Sequence, residues 1–542
     1  GGLAEFNYGS DGHESLAVDA AGSMYLTGRF SGSVDFNASP AGATIMTADW
    51  TAGCSTQSFV MKLDLFAEPY WARQLGNDVS NSSCSAMPRS IAVDGNGNVY
   101  TTGDFSGSVD FDPGAGVTNL VNSYSQKKAS YISKLNSSGE FVWAYRLGSA
   151  YLPGELYDGG NSGLAKANSV AADGSGNVYV VGTFKGSVDF QHGAGVTTLS
   201  SSSSQNDDVF ILKLNSSGAL VWIGQIESPG SSSDSVEAHS VAVDGSGNVY
   251  ISGDVTGGST VDFDPTEGVA NLATATGGQG AKNEIWILKL DSAGDYVWAK
   301  ASSCPGSAGA FTGLAGKPGS DRGLAVDDSG NVYAVGSFTQ RHYNDSYDCD
   351  FDPGPGEGFA QVGTNPRLST LVWKLDSSGN YQWAKAFLKT ACPTCGADYN
   401  SPLSVAVDGS GNVYTTGRFL GTIDFDPGAG TATMTAGTNN SGNWSGNSAF
   451  LSKLDSSGNY VWAKQVGTPT GEQDGRQVAL DGSGNVYFSG ELNYETVDLD
   501  PGDGVVNFTS KEMFLVKLDS SGNLAPGGFN APTGSITVSP AS

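Results

Sequence analysis

Seven times along this chain a near-identical phrase returns. It reads SLAVDAAGSMYLTG from Ser15, SIAVDGNGNVYTTG from Ser90, SVAADGSGNVYVVG from Ser169, SVAVDGSGNVYISG from Ser240, GLAVDDSGNVYAVG from Gly323, SVAVDGSGNVYTTG from Ser404 and QVALDGSGNVYFSG from Gln477. A second phrase follows each copy: FVMKLD from Phe59, YISKLN from Tyr131, FILKLN from Phe210, WILKLD from Trp286, LVWKLD from Leu371, FLSKLD from Phe450 and FLVKLD from Phe514. In six copies a short turn then leads to an aromatic segment centred on Trp71, Trp143, Trp222, Trp298, Trp383 or Trp462. A repeated unit buries its faces only against its neighbours, so the repeat decides the architecture before chain length does. Length alone, 542 residues, would have suggested about two to four separate domains.

Each unit divides into four short strands. Strand a (xxAVD) meets strand b (NVYxxG) through a tight Gly/Asn turn, and strand c (xxxKLD) meets strand d (YVWA) through a similar turn, often SSGN. Val, Ile, Tyr, Phe and Trp fill the strands, while Gly, Asn, Asp and Ser fill the turns. Apolar residues occupy both faces, as a sheet sandwiched between two others requires. The prediction is an all-β, seven-bladed β-propeller of four-stranded blades. The blades fall at about 11–78, 86–155, 165–228, 236–303, 320–389, 402–468 and 474–522. Residues 1–10 are expected to close the ring, because LAEFNYGS from Leu3 keeps the spacing to glycine seen in VWAKQVGT from Val461, with Ala4 in the tryptophan place. The last unit itself ends in NLAPGGF, where Pro526 and two glycines spoil an outer strand. The propeller thus spans 1–526, and 527–542 form a tail or a linker to a further surface module.

The unit AVDxxGNVYxxG…KLDxxGNxxWA resembles the bacterial seven-bladed beta-propeller repeat family (SBBP), whose repeats are similar in style to NHL propellers. The resemblance covers about residues 1–525. It implies an extracellular or envelope propeller, and it carries no catalytic residues over to this chain. The tail segment SITVSPAS resembles the opening strand of bacterial immunoglobulin-like surface domains, which implies a following module or a strand offered to a neighbour.

Composition supports a secreted or cell-surface setting. Glycine is abundant at 77 residues, only 15% of residues are charged, and aromatics reach 10%, too many for a disordered chain. A start at Gly1 fits a mature protein whose signal peptide has been removed. No apolar run approaches the ~20 residues of a membrane-spanning helix. A net charge of −28 argues against nucleic acid as a partner.

Strands alternate in direction, so the a–b and c–d turns share one face and the b–c and d–a loops share the other. The second face holds the long, variable segments 37–57, 148–166, 302–321, 340–367 and 388–402, and such loops on a rigid scaffold usually carry function. All six cysteines lie there. Cys54 and Cys84 flank one hairpin and are expected to pair, while Cys349 is expected to pair with Cys392 or Cys395, leaving Cys304 the other. The Cys392–Cys395 spacing also fits a redox or zinc motif, but without a second such pair.

Three further sets of residues are candidates. After strand b, DFDPG-type motifs place Asp110 and Asp112, Asp262 and Asp264, Asp350 and Asp352, Asp424 and Asp426, and Asp498 and Asp500 two apart; DFNASP at Asp35 and DFQHGAG at Asp189 are degraded copies. Such carboxylates with nearby carbonyls suit calcium, the one candidate cofactor, or else they open a Pro-Gly turn. The DGSGN turns read as hairpin turns rather than EF-hand loops. The once-per-blade lysines, Lys62 to Lys517, suggest a structural ion pair between blades, and the repeated tryptophans suggest packing. Just before each inner strand, Glu14, Arg89, Asn168, His239, Arg322 and Arg476 differ from blade to blade and are expected to rim the central channel.

Only four histidines occur, none in a metal-binding pair or beside a GxSxG-like nucleophile. The chain therefore leans away from catalysis. The expected role is a structural or assembly subunit of a cell-surface protein, contacting itself or other surface proteins. The alternative is an adhesin-like module binding glycan or protein through the loop face. An extracellular polysaccharide-cleaving enzyme ranks third.

Overall fold

The computed structural model describes residues 15–30, 32–36, 44–48, 57–76, 85–122, 128–148, 163–191, 195–203, 206–229, 235–256, 260–273, 283–303, 323–338, 349–356, 358, 369–391, 400–436, 447–466, 473–492, 495–502, 507–510 and 513–525. Seven antiparallel sheets stand in a ring, six of them ordered a-b-c-d from the centre outwards among the described residues. Blade 2 is typical, with strands Ser85–Val93, Val99–Asp110, Ala129–Leu135 and Phe141–Leu147. In blade 7 strands a, b and c are described (Gln473–Leu480, Val486–Leu492 and Met513–Leu518). The outer strand expected from residues 1–10, and the tail 527–542, lie outside the described residues.

The turn chemistry explains the invariant letters. Asp94 ends strand a of blade 2, and its Oδ1 accepts the backbone N–H groups of Asn96 and Asn98, both at 2.9 Å. Its Oδ2 accepts the Asn98 amide at 2.7 Å and the buried Tyr100 hydroxyl at 2.9 Å. The turn is thus closed by one carboxylate, which also anchors strand b.

Blades are fastened to one another by repeated bonds. Along the inner strands, Ser15 Oγ accepts the Ile91 N–H (3.1 Å), Ser90 Oγ the Val170 N–H (3.0 Å), and Ser404 Oγ the Val478 N–H (3.3 Å). At the junction of blades 7 and 1 a glutamine takes over: the Leu16 N–H donates to Gln477 Oε1. Tyr487 donates to the Gly22 carbonyl there (3.3 Å), and Leu16, Ala479, Tyr487 and Leu515 share one core. First and last blades therefore pack as neighbours.

Among the described residues, the lysines do not form the ion pairs expected of them. Lys134, Lys213, Lys289, Lys374 and Lys453 donate to the carbonyls of Ser216, Ser292, Ser377, Ser456 and Ser520 in the next blade, at 2.7 to 3.0 Å. Each also stands over a tyrosine ring of its own blade, 4.8 to 5.0 Å from the centroid. The aspartates that would pair with them are already committed to their turns. The strand d tryptophans do pack between blades, and Trp143, Trp298, Trp383 and Trp462 donate to the same serine carbonyls. Trp71 lies so close to Gly139 of blade 2 that a Cβ there would come within 2.7 Å of the ring, and Gly139 also holds φ +74°.

The b–c connections contain a two-stranded hairpin that the four-strand reading did not foresee. Examples are Ser187–Asp189 with Thr198–Ser200 and Thr260–Asp262 with Asn271–Ala273. The DFDPG motif is the turn of this hairpin. Its central aromatic residue is buried in the blade, as in Phe111 against Tyr131 (centroids 4.5 Å apart) and Phe263 against Trp286 (5.1 Å).

Candidate functional site

Strand a does not run straight into the channel mouth. Its pairing with strand b shifts by one residue between Pro88 and Ser90, Ala167 and Ser169, Ala238 and Ser240, Pro402 and Ser404, and Gly475 and Gln477. The extra residues are Arg89, Asn168, His239, Leu403 and Arg476, so four of the six predicted rim residues are the bulged residues of their strands. A bulge re-aims a side chain at a chosen place on a sheet edge. The cause sits on strand b, in the glycine of NVYxxG. A Cβ on Gly103 would lie 2.1 Å from the Met87 carbonyl oxygen, and one on Gly253 would lie 1.8 Å from that of Glu237. Only glycine lets the bulged backbone come so near. Glu14 and Arg322, the remaining predicted rim residues, lie outside the described residues.

The residue after that glycine meets the bulged one, and this partner set was not foreseen. Arg89 pairs with Asp104 at 2.5 Å, His239 Nε2 contacts Asp254 Oδ1, and Arg476 pairs with Glu491 at 2.7 Å. Arg418 reaches across to Asp474 of the next blade at 3.0 Å. Asn168 donates its amide to the Ala238 carbonyl at 2.8 Å, bridging blades 3 and 4. The signal was present in YTTGDF, YISGDV, YTTGRF and YFSGEL, where the position after glycine varies between charges of opposite sign.

Polar atoms in this group that are buried and have no partner among the described residues include Nη1 of Arg89, Oδ1 of Asn168 and Oε1 of Glu491. A buried donor or acceptor left unpaired costs about 1–3 kcal/mol, so such atoms point to a missing bonding partner. The electrostatics are also perturbed. Burial pulls the Lys166 ammonium down and Arg89 adds to this, against the opposing charges of Glu237, Asp104 and Asp207, leaving its pKa below the usual value. Burial likewise pushes the His239 imidazole down, but the charge of Asp254, the contact with it and Glu237 outweigh burial and hold it above its usual value. The ligand-capable atoms of Glu237, His239 and Asp254 lie within 4.8 Å of one another.

The opposite half of the channel carries only apolar side chains. The Ala-Val segments of all seven inner strands, from Ala17 and Val18 round to Ala479 and Leu480, line a cavity of about 340 Å³, where the polar groups are those of the backbone. Polar variety is thus concentrated at the loop-face end, where the inner strands begin.

The other candidates are placed as follows. In the DFDPG turns, Asp110 Oδ1 accepts the N–H groups of Asp112 (3.0 Å) and Thr118 (2.8 Å), and Asp112 Oδ1 accepts that of Gly114 (2.8 Å). Asp262 and Asp264, Asp350 and Asp352, and Asp424 and Asp426 repeat this pattern. Asp498 accepts from the Asp500 N–H, and Asp500 from that of Gly502. These carboxylates shape their hairpin turns. Cys349 packs against the blade 5 core; Cys54, Cys84, Cys304, Cys392 and Cys395 lie outside the described residues.

Comparison with known proteins adds the following. An uncharacterized WD repeat-containing protein of Acanthamoeba polyphaga mimivirus is 23% identical over 490 residues, covering 83% of this chain. The chain spans 32% of that protein's length. Solved structures that align along most of the chain include a polysaccharide lyase (TM-score 0.38, 8% identity, 95% of this chain and 92% of that one). Another is the beta-propeller domain of the trilobed protease from Pyrococcus furiosus (TM-score 0.36, 8% identity, 97% and 99%). Residues 71–104 and 221–259 match the beta-propeller repeat profile (SBBP), each match running from an outer strand into strand b of the next blade. These two matches support the resemblance of the repeats to the SBBP beta-propeller repeat, and the seven-bladed ring agrees with it.

Proposed function

We propose that this protein is a non-catalytic binding module that recognises a polar chain, of glycan type, at the loop-face mouth of its channel. One observation carries the proposal. The inner strands are nearly identical in their Ala-Val halves but differ from blade to blade at the bulged residue and the residues just before it, and there a buried Arg89 donor and a buried Asn168 acceptor have no partner among the described residues. A ligand rich in hydroxyl groups offers donors and acceptors together, and an acidic sugar adds a carboxylate that suits Arg89. The test is binding of the purified chain to an array of neutral and acidic glycans at physiological salt. Specific binding to a related set of glycans supports the proposal, and uniform absence of binding overturns it.

A specific observation favours the assembly reading as the second one. The outer strands expose an apolar residue at equivalent positions, Tyr70, Val142, Val221, Val297 and Val461. Such a belt around the rim suits side-by-side packing of copies on a cell surface. Light scattering across a concentration series tests it: a monomer at every concentration removes self-assembly.

A further inference from the structure

We infer that Glu237, His239 and Asp254 form a binding site for one divalent transition-metal ion of zinc type. The inference shares Asn168 Oδ1 with the glycan proposal but is tested separately from it, because it concerns the ion alone and needs no saccharide.

The geometry comes from three local features acting together. Glu237 and Asp254 are directly opposed in the register of strands a and b, which sets two carboxylates side by side on one sheet face. The bulge after Ala238 then displaces His239 towards the same pair, so that its Nε2 contacts Asp254. Gly253 makes the bulge possible, since any Cβ there would strike the Glu237 carbonyl. The outcome is one imidazole nitrogen and two carboxylate oxygens within 4.8 Å of one another, a separation that ligands of a single ion share. Imidazole with carboxylates suits zinc and its neighbours, and three protein ligands leave a position for water.

The surroundings fit an ion as well. Two carboxylates balance its charge. Arg89 is neutralised by Asp104 and does not compete. Lys166 is the opposing cation, and its ammonium is already held below the usual value by burial and by Arg89. Asn168 reaches over from blade 3 to the carbonyl between Glu237 and His239, and its Oδ1 is buried without a partner among the described residues, a ready acceptor for a water bound to the ion. Glu237 is exposed, His239 half-buried and Asp254 buried, so the site has an open side and a fixed side.

The experiment titrates zinc alone into the full chain, freed of metal beforehand, in competition with a chromophoric chelator. Wild type, His239→Ala and Glu237→Gln are compared, with circular dichroism confirming the fold of each. Glu237→Gln is the safer substitution because its side chain is exposed. The expected result is one tight equivalent in wild type, weakened at least tenfold in both variants. Zinc binding of unchanged strength and stoichiometry in folded Glu237→Gln and His239→Ala overturns the inference, as does the absence of binding to wild type. Loss of glycan binding in a variant with this zinc site intact would bear on the proposed function and leave the metal site standing.

Discussion

Replacing Gly253 by alanine tests how the mouth is built, and Gly245 eight residues earlier supplies the control. A Cβ at Gly253 would lie 1.8 Å from the Glu237 carbonyl oxygen and 2.4 Å from Cζ2 of Trp286, a fully buried ring. Neither neighbour is a flexible tip. Overpacking of this kind costs about 1–3 kcal/mol. Relief by straightening the bulge withdraws His239 from Asp254, and breaking a half-buried charged contact adds ~1–3 kcal/mol. Together these place the loss at about 2–6 kcal/mol. At Gly245, in the a–b turn of the same blade, a Cβ meets nothing within 4 Å, so Gly245→Ala should stay within about 0.5 kcal/mol of wild type. Urea unfolding followed by tryptophan fluorescence reads both. Equal stability of the two variants would refute the claim that glycine on strand b licenses the bulge.

Three further outcomes follow from the same contacts. Gln477→Ala leaves the buried Leu16 N–H without its acceptor at the junction of blades 7 and 1, and should lower stability by about 1–3 kcal/mol; an unchanged unfolding curve would show that this bond does not hold the ring. In Asp173, Asp244, Asp408 and Asp481 burial pushes the carboxyl up, but hydrogen bonds led by the neighbouring asparagines overcome it and leave each pKa below its usual value. A depressed folded pKa stabilises above the unfolded value of about 3.9 and loses that contribution as pH falls through the folded one. The melting temperature should therefore hold from pH 7 to about 5 and fall steeply below about 4, whereas a fall beginning near pH 6 would contradict this. Because the DFDPG carboxylates accept backbone N–H bonds, Asp262→Ala should cost ~1–2 kcal/mol equally with calcium or with EDTA, and a loss seen only with calcium would favour the cation reading.

The sequence and the structure agree where local chemistry suffices. The DGSGN turns close through their own aspartate, and the strands follow their β-branched and aromatic runs, so blade number and strand order were legible from Ser15 to Leu518. Contacts set by register were harder to read. Arg89, Asn168, His239 and Arg476 stood out by their variation, but their partners Asp104, Asp254 and Glu491 sit on another strand, brought opposite by a one-residue shift that depends on a glycine. The lysines were assigned to carboxylates because opposite charges are the simplest pairing; the carbonyls of Ser216 and Ser292 are backbone groups, invisible in a string of side chains. The added hairpins went unnoticed because their strands are only three or four residues long, as in Thr198–Ser200.

The most direct test reads the glycan array with wild type and Asn168→Ala side by side. Asn168→Ala removes the unpaired Oδ1 and one neutral hydrogen bond, a change of about 1 kcal/mol in stability that leaves the blade folded. Binding by wild type that falls at least tenfold in Asn168→Ala is the predicted result. Binding of equal strength by both proteins would place recognition somewhere other than the channel mouth.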